Sequence, residues 1–276
     1  MSRSHVEYAT LGEAVGEPWQ IDGVTTGARF SRLSTDAVTG AESRYLRIPS
    51  RWHWPTPGSF ESELELLILR GELQWGPTTL KAGDYAVYEP RTVIPVLDSE
   101  TGCELVWMSA SPCNWMPSGR AEPMWREQPI HIPALPWLPP PSFEGRTSAE
   151  TGPGLGVKFL REHPVTGAYT LLTRHGPAWS DPRLESHDTW EELLLLEGEF
   201  LMGNTGVVTA GTYIFRPGLR PHGPQATGPG ATWFCRGERR IDFQFESPAW
   251  AAERSRRYLA SGVTARPLQQ PWGAIT

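Results

Sequence analysis

Short apolar or alternating runs recur along the chain at Leu64 to Leu69, Tyr85 to Tyr88, Leu105 to Met108, Leu193 to Leu196, Tyr213 to Phe215 and Thr232 to Cys235, with Gly, Pro and Asp between them. Short strands at close spacing predict an all-β, antiparallel sandwich or barrel. In Glu63-Leu64-Glu65-Leu66-Leu67-Ile68 the alternation assigns Glu63 and Glu65 to the water face and Leu64, Leu66 and Ile68 to the interior. Near the C-terminus Ser247 as N-cap, Pro248 as first helical residue and Gly262 just past the end punctuate a helix of about three to four turns, followed by an extended tail.

The pattern occurs twice. Val38-Thr39-Gly40-Ala41 returns as Val165-Thr166-Gly167-Ala168, 127 residues on. The same offset lays Gly71-Glu72 on Gly198-Glu199. A one-residue slip then pairs Ala82-Gly83-Asp84-Tyr85 with Ala210-Gly211-Thr212-Tyr213. Ordered landmarks at a period this long indicate a duplicated domain rather than a solenoid. The expected division is a first barrel over 1–111, a linker over 112–153, a second barrel over 154–246, and a helix with its tail over 247–276. The linker carries Pro129, Pro133, Pro136 and Pro139-Pro140-Pro141. It is expected to run as an extended surface strap, pinned by Trp115, Trp125 and Trp137.

The repeat selects one carboxylate from an adjacent pair. The offset carries Leu64 onto Glu191 and Glu65 onto Glu192, so Glu191 is predicted to point inward and Glu192 outward. It also sets Phe60 opposite His187, and the slipped register sets Ile94 opposite His222. The first barrel thus fills with apolar side chains the places where the second has His187, Glu191 and His222, and is expected to be metal-free. Imidazole nitrogen and carboxylate oxygen suit a borderline divalent ion: Fe, Mn, Ni or Zn. Four residues of straight strand span about 13 Å, too far for one ion. Asp188-Thr189-Trp190 must therefore bend, which Asp and Thr permit.

Composition narrows the function. Gly 28 and Pro 27 suit many short strands, and Trp 13 suits barrel interiors and ligand clefts. A net charge of −6 gives no basic stripe for nucleic acid. No apolar run reaches membrane length, and Met1-Ser2-Arg3-Ser4-His5 lacks a signal-peptide core. Three cysteines outside any paired motif fit a reducing compartment. The expectation is a cytoplasmic monomer or homodimer acting on a small molecule, with neither nucleic acid nor membrane as partner.

His187, three residues, Glu191, six residues and Gly198 resemble the latter part of the first cupin motif. Gly211, five residues, Pro217, with Gly218 and His222, resemble the second. The chain is therefore similar to two-domain cupins (bicupins) whose second barrel keeps the ligands, across roughly Thr26 to Met108 and Gly154 to Gly237. The resemblance implies two tandem double-stranded β-helix (jelly-roll) barrels. Glu185 stands where the motif usually has its first histidine, as a further ligand or as a base; Glu192 is a second candidate base. Trp190, Tyr213, Phe215, Arg220 and Trp233 are candidate pocket residues.

Other features weigh toward structure. His53, between two tryptophans, and Cys235, with no histidine near it in sequence, read as packing residues. His163 and His175 sit in turn-like contexts. The resemblance favours a metal-dependent, dioxygenase-type enzyme. A redox-neutral isomerase or an aromatic or polyketide cyclase, and a non-enzymatic ligand-binding or sensory cupin, are the alternatives, since the fold hosts all of them.

Overall fold

The computed structural model describes residues 3–12, 16–117, 128–140, 154–203 and 205–262. The described residues form two units: one over 3–4 and those within 11–134, the other over 5–10 and those within 135–262. Each is built on a twelve-residue strand. In the first unit Leu64–Trp75 pairs through its first half with Cys103–Ser109 and Asp84–Tyr88, and through its second half with Thr78–Lys81 and Leu97–Ser99. In the second, Glu191–Met202 pairs in the same way with Ala231–Gly237 and Thr212–Arg216, then with Gly206–Thr209 and Gln225–Ala226. One strand thus serves two sheets, which closes each unit around an interior.

The change of sheet falls at a glycine in both units. Gly71 and Gly198 adopt φ of 71° and 82°. A Cβ there would stand 1.9 Å from the Gly102 carbonyl oxygen and 2.0 Å from that of Gly230. Gly198→Ala is therefore expected to cost more than the about 1–3 kcal/mol of a strained backbone alone. Urea unfolding of the variant measures it; a cost below about 1 kcal/mol would show that the site yields.

Leu64, Leu66 and Ile68 lie in the core of the first unit with Phe60, Ile94 and a group of stacked and edge-on aromatics. Phe60 packs on Trp107 and Trp115 at 4.9 Å between centroids, and Trp75 on Tyr88 at 4.7 Å. The expectation that Glu65 faces water is corrected. It is on the outer face of its strand, as the alternation says, but is buried and accepts a hydrogen bond from the Tyr85 hydroxyl.

Three other expectations change. The described linker is pinned at Trp115 and Trp137 as expected, but it also adds strands: Trp115–Pro117 pairs with Gly58–Phe60 and Ile130–His131 with Asp84–Tyr88, both in the first unit. Leu138 bridges Val157 in the second, where Lys158 and Arg174 each approach the Trp137 ring at 4.7 Å. Residues between the prolines keep their donors and complete sheet edges. Trp125 and Pro141 lie outside the described residues.

The segment Tyr8 to Phe30 reads in the sequence as a lead into the first sheet; Glu17–Ile21 and Val24–Thr35 do join the first unit's sheet, but its start lies in Val6–Thr10, which pairs with Thr212–Arg216 in the second unit. The helix spans Ala249–Ser261 with Pro248, not Ser247, as its N-cap and without a side-chain cap bond; Gly262 closes it in the left-handed region. The 263–276 tail lies outside the described residues. Among the described residues no helix is long and apolar enough to cross a membrane.

Candidate metal centre and its cavity

Three pieces of backbone bring the ligands together. Glu185 and His222 exchange both backbone hydrogen bonds, at 2.8 and 2.9 Å, across a narrow antiparallel bridge. The strand Leu184–Ser186 then ends, the chain bends over Asp188 and Thr189, and Glu191 begins the long strand. The His187 ring helps close that bend by donating Nδ1–H to the Thr189 carbonyl at 2.7 Å. His222 does likewise to the Arg220 carbonyl at 3.0 Å. These bonds occupy Nδ1 in both rings and leave Nε2 as the nitrogen that a metal would take.

Both Nε2 atoms face one carboxylate. His187 Nε2 lies 3.4 Å from Glu191 Oε2, and His222 Nε2 lies 3.3 Å from Glu191 Oε1. One ligand atom from each of these three buried residues lies within 4.8 Å of the other two, the only such group of His, Cys, Asp and Glu among the described residues. Metal–ligand bonds of about 2.1 Å, at tetrahedral or octahedral angles, put neighbouring ligand atoms about 3.0–3.4 Å apart. The two histidine–carboxylate spacings, 3.4 and 3.3 Å, fall in that range. His187 Nε2 is also buried and makes no hydrogen bond, an orphan that a cation would satisfy. The donor set thus suits a divalent ion.

Glu185 is outside the set of three but adjacent to it. Its Oε1 stands 3.0 Å from His222 Nε2 and accepts a hydrogen bond from Gln225 Nε2 at 2.7 Å. Arg216, which the sequence reading missed, donates to Glu191 Oε1 at 2.6 Å and is itself buried. It lies directly across from Glu191 in the strand register.

Burial opposes charge on both His187 and Glu191, and the neighbours outweigh it. At His187 the charge and proximity of Glu191, the Thr189 carbonyl and Glu185 raise the pKa to about 9. At Glu191 the histidines and Arg216 hold the carboxyl well below the ordinary carboxylate range. The metal-free protein therefore carries at neutral pH a proton on His187 that a metal must displace. Metal uptake is expected to release about one proton per ion, with apparent affinity rising about tenfold per pH unit up to about pH 9 and levelling above. Calorimetry in buffers of different ionisation heat reads this; an affinity flat with pH below 9 contradicts it.

A cavity of about 780 Å³ opens on the site, with Glu185, Glu191, Arg216 and His222 in its wall. The other walls are largely apolar, with Val157, Leu171, Leu193, Phe200, Met202 and Trp233 among them. Trp233 is the single predicted pocket residue that lines it. Tyr213 and Phe215 face the other way: the Tyr213 hydroxyl donates to Glu192, and Phe215 packs on Trp190. Arg220 is half-exposed near Glu7, and only its carbonyl serves the site. Glu192 as a base is corrected as well. It lies on the strand face opposite Glu191 and is tied to Tyr213 and Arg236.

Other residues expected to be structural divide. His53 is exposed and paired with Asp98 at 3.0 Å, not packed in a core. His163 accepts the Val165 and Thr166 backbone N–H groups in a turn. His175 packs on Trp179 and Phe200 and lines the cavity. Cys235 also lines it, with a thiol that burial pushes up to about 12 and so keeps protonated. Tyr169 and Phe243 are further wall residues that the sequence reading did not name.

Two barrels closed on matching twelve-residue strands have the fold of two-domain cupins. Residues 17–244 match the family described as a domain of unknown function (DUF4437), and the chain belongs to that family. No functionally curated protein matches the sequence. Solved structures with a similar fold include a candidate dioxygenase from Nostoc punctiforme PCC 73102, with a TM-score of 0.74 and 18% identity over 88% of this chain and 86% of that one. A variant of Bacillus subtilis oxalate decarboxylase has a TM-score of 0.54 and 9% identity, over 88% and 80%. The salicylate 1,2-dioxygenase of Pseudaminobacter salicylatoxidans has 0.53 and 9%, over 78% and 77%. At such identities the likeness is one of fold.

Proposed function

We propose that this protein is a metal-dependent enzyme whose second barrel holds one divalent ion on His187, Glu191 and His222 and carries out dioxygenase-type chemistry on a small, partly apolar organic molecule. The observation that carries the reading is the set of three buried ligand residues, His187, Glu191 and His222, of which Glu191 and His222 line a largely apolar cavity. The dioxygenase-like neighbours among structures of the same fold favour that chemistry over the redox-neutral alternatives. A divalent ion there supplies Lewis acidity and, as iron, access to oxygen chemistry.

The residues divide the remaining work. Arg216 holds the Glu191 carboxylate in place. Gln225 orients Glu185, whose carboxylate is placed to take a proton from a molecule bound beside His222. The apolar walls exclude water from the rest of the cavity. Elemental analysis of the protein as isolated, followed by oxygen uptake with diketones and phenolics, tests the proposal. Stoichiometric metal with oxygen consumption supports it. Metal with turnover but no oxygen uptake moves the chemistry to the isomerase or cyclase class, and absence of metal ends it.

A further inference from the structure

We infer that Glu238 to Phe243 is a flap over the second unit's cavity, held shut by two solvent-exposed ion pairs, so that access to the cavity depends on ionic strength. The inference concerns entry and holds whatever chemistry the cavity performs.

The segment leaves the sheet where Ala231–Gly237 ends and rejoins regular structure at Gln244–Glu246; between them it belongs to no strand or helix. Both ends are fixed. At one end Gly237 pairs with Tyr169 and Glu191 in the sheet. At the other, Gln244–Glu246 pairs with Leu184–Ser186, the strand that carries Glu185. The helix beyond is tied down by the Tyr258 hydroxyl, which donates to Glu199 Oε1 at 2.6 Å. The stretch between these anchors contributes Arg240, Ile241, Asp242 and Phe243 to the cavity wall. Phe243 reaches the metal centre itself: its ring stands edge-on to the His187 imidazole, with centroids 6.3 Å apart.

What fastens the middle of the segment is ionic and wet. Arg239 Nη2 donates to the Asp188 carbonyl at 2.9 Å and meets Asp188 Oδ2 at 3.3 Å, with the two side chains 51% and 43% exposed. Arg240 Nη2 meets Glu162 Oε1 at 3.5 Å, with side chains 78% and 52% exposed. One pair thus ties the segment to the bend that follows His187, the other to the end of the strand Gly156–Glu162. Exposed pairs of this kind are weak and are screened by salt. A segment outside the sheets, held by such contacts, opens at lower cost than the strands that anchor it.

Cys235 supplies a probe of opening. It lines the same cavity and is buried, whereas Cys103 and Cys113 belong to the core of the first unit and serve as internal controls. The full-length protein is treated with iodoacetamide at fixed pH, and alkylation of each cysteine is followed by mass spectrometry. Two salt concentrations are used, about 0.01 M and about 1 M, between which the screening length falls from about 30 Å to about 3 Å. Wild-type Cys235 is expected to react about three- to tenfold faster at high salt, the combined worth of two exposed pairs, with the control cysteines little changed. Arg239→Gln with Arg240→Gln should react at low salt as fast as the wild type does at high salt, and should respond little to salt. Arg240→Glu alone should also be fast, and adding Glu162→Arg, which rebuilds the pair in reverse, should restore the slow rate. A wild-type Cys235 rate indifferent to salt, or equal low-salt rates in the wild type and the double glutamine variant, overturns the inference. Either result leaves the metal site standing, which elemental analysis tests separately.

Discussion

His187→Ala and His222→Ala proteins are each expected to purify with less than about a tenth of the wild-type metal and to lose essentially all turnover. Loss of a hydrogen-bonding partner behind a ligand typically costs about 10–100-fold in metal affinity, and loss of one of three ligands costs at least that. The two imidazoles act from different segments, one closing the bend at Asp188 and Thr189, the other bridged to Glu185. Neither can move into the other's place. A control separates ligand loss from general damage: His53→Ala, at an exposed position paired with Asp98 in the first unit, should keep its metal. Equal metal in all four proteins, measured by elemental analysis, would remove the site.

Much of this site was legible before any coordinates, for a physical reason. In a strand the side-chain period is two, so an apolar copy of the same strand fixes which of two adjacent carboxylates faces inward. Leu64 in the first unit therefore identified Glu191 over Glu192. The bend was legible as well, because two ligands of one ion cannot be separated by four residues of straight strand. What the sequence did not reveal depends on contacts between strands. Arg216 is followed by Pro217, and strand parity could not be followed through the prolines to His222. Its role appears only once the register pairs it with Glu191.

The same gap misplaced Tyr213 and Phe215, which are aromatic and near the motif but have the opposite parity. Glu65 looked solvated, and Glu192 available as a base, because their hydroxyl partners, Tyr85 and Tyr213, lie about twenty residues away in sequence. Nor does the sequence say which sheet edge is open to a neighbour. Val6–Thr10 could join the second unit because Thr212–Arg216 offered an unpaired edge there, a property of the assembled sheet.

Removing Arg216 is expected to destabilise the fold strongly. Arg216 and Glu191 are 3% and 7% exposed and meet at 2.6 Å. Breaking a buried pair by deleting one partner typically costs about 3–5 kcal/mol, because the survivor's charge is left without compensation. Arg216→Met should therefore destabilise the metal-free protein by roughly 3 kcal/mol in urea unfolding, the lower end of that range, since the two histidines still face the carboxylate. Bound metal should recover part of the loss, because the ion replaces the missing cation.

The first barrel supplies the complementary experiment. At the register positions of Glu191 and Arg216 it has Leu64 and Tyr88, an apolar and an aromatic side chain directly across from one another. Transplanting that pair as Glu191→Leu with Arg216→Tyr removes both charges together, and such replacements are commonly neutral or stabilising. The double variant is expected to regain most of the stability lost in Arg216→Met while binding no metal. That outcome would mean the second barrel keeps its buried charges for the ion and not for the fold. A double variant as unstable as the single one would show instead that the pair is structural.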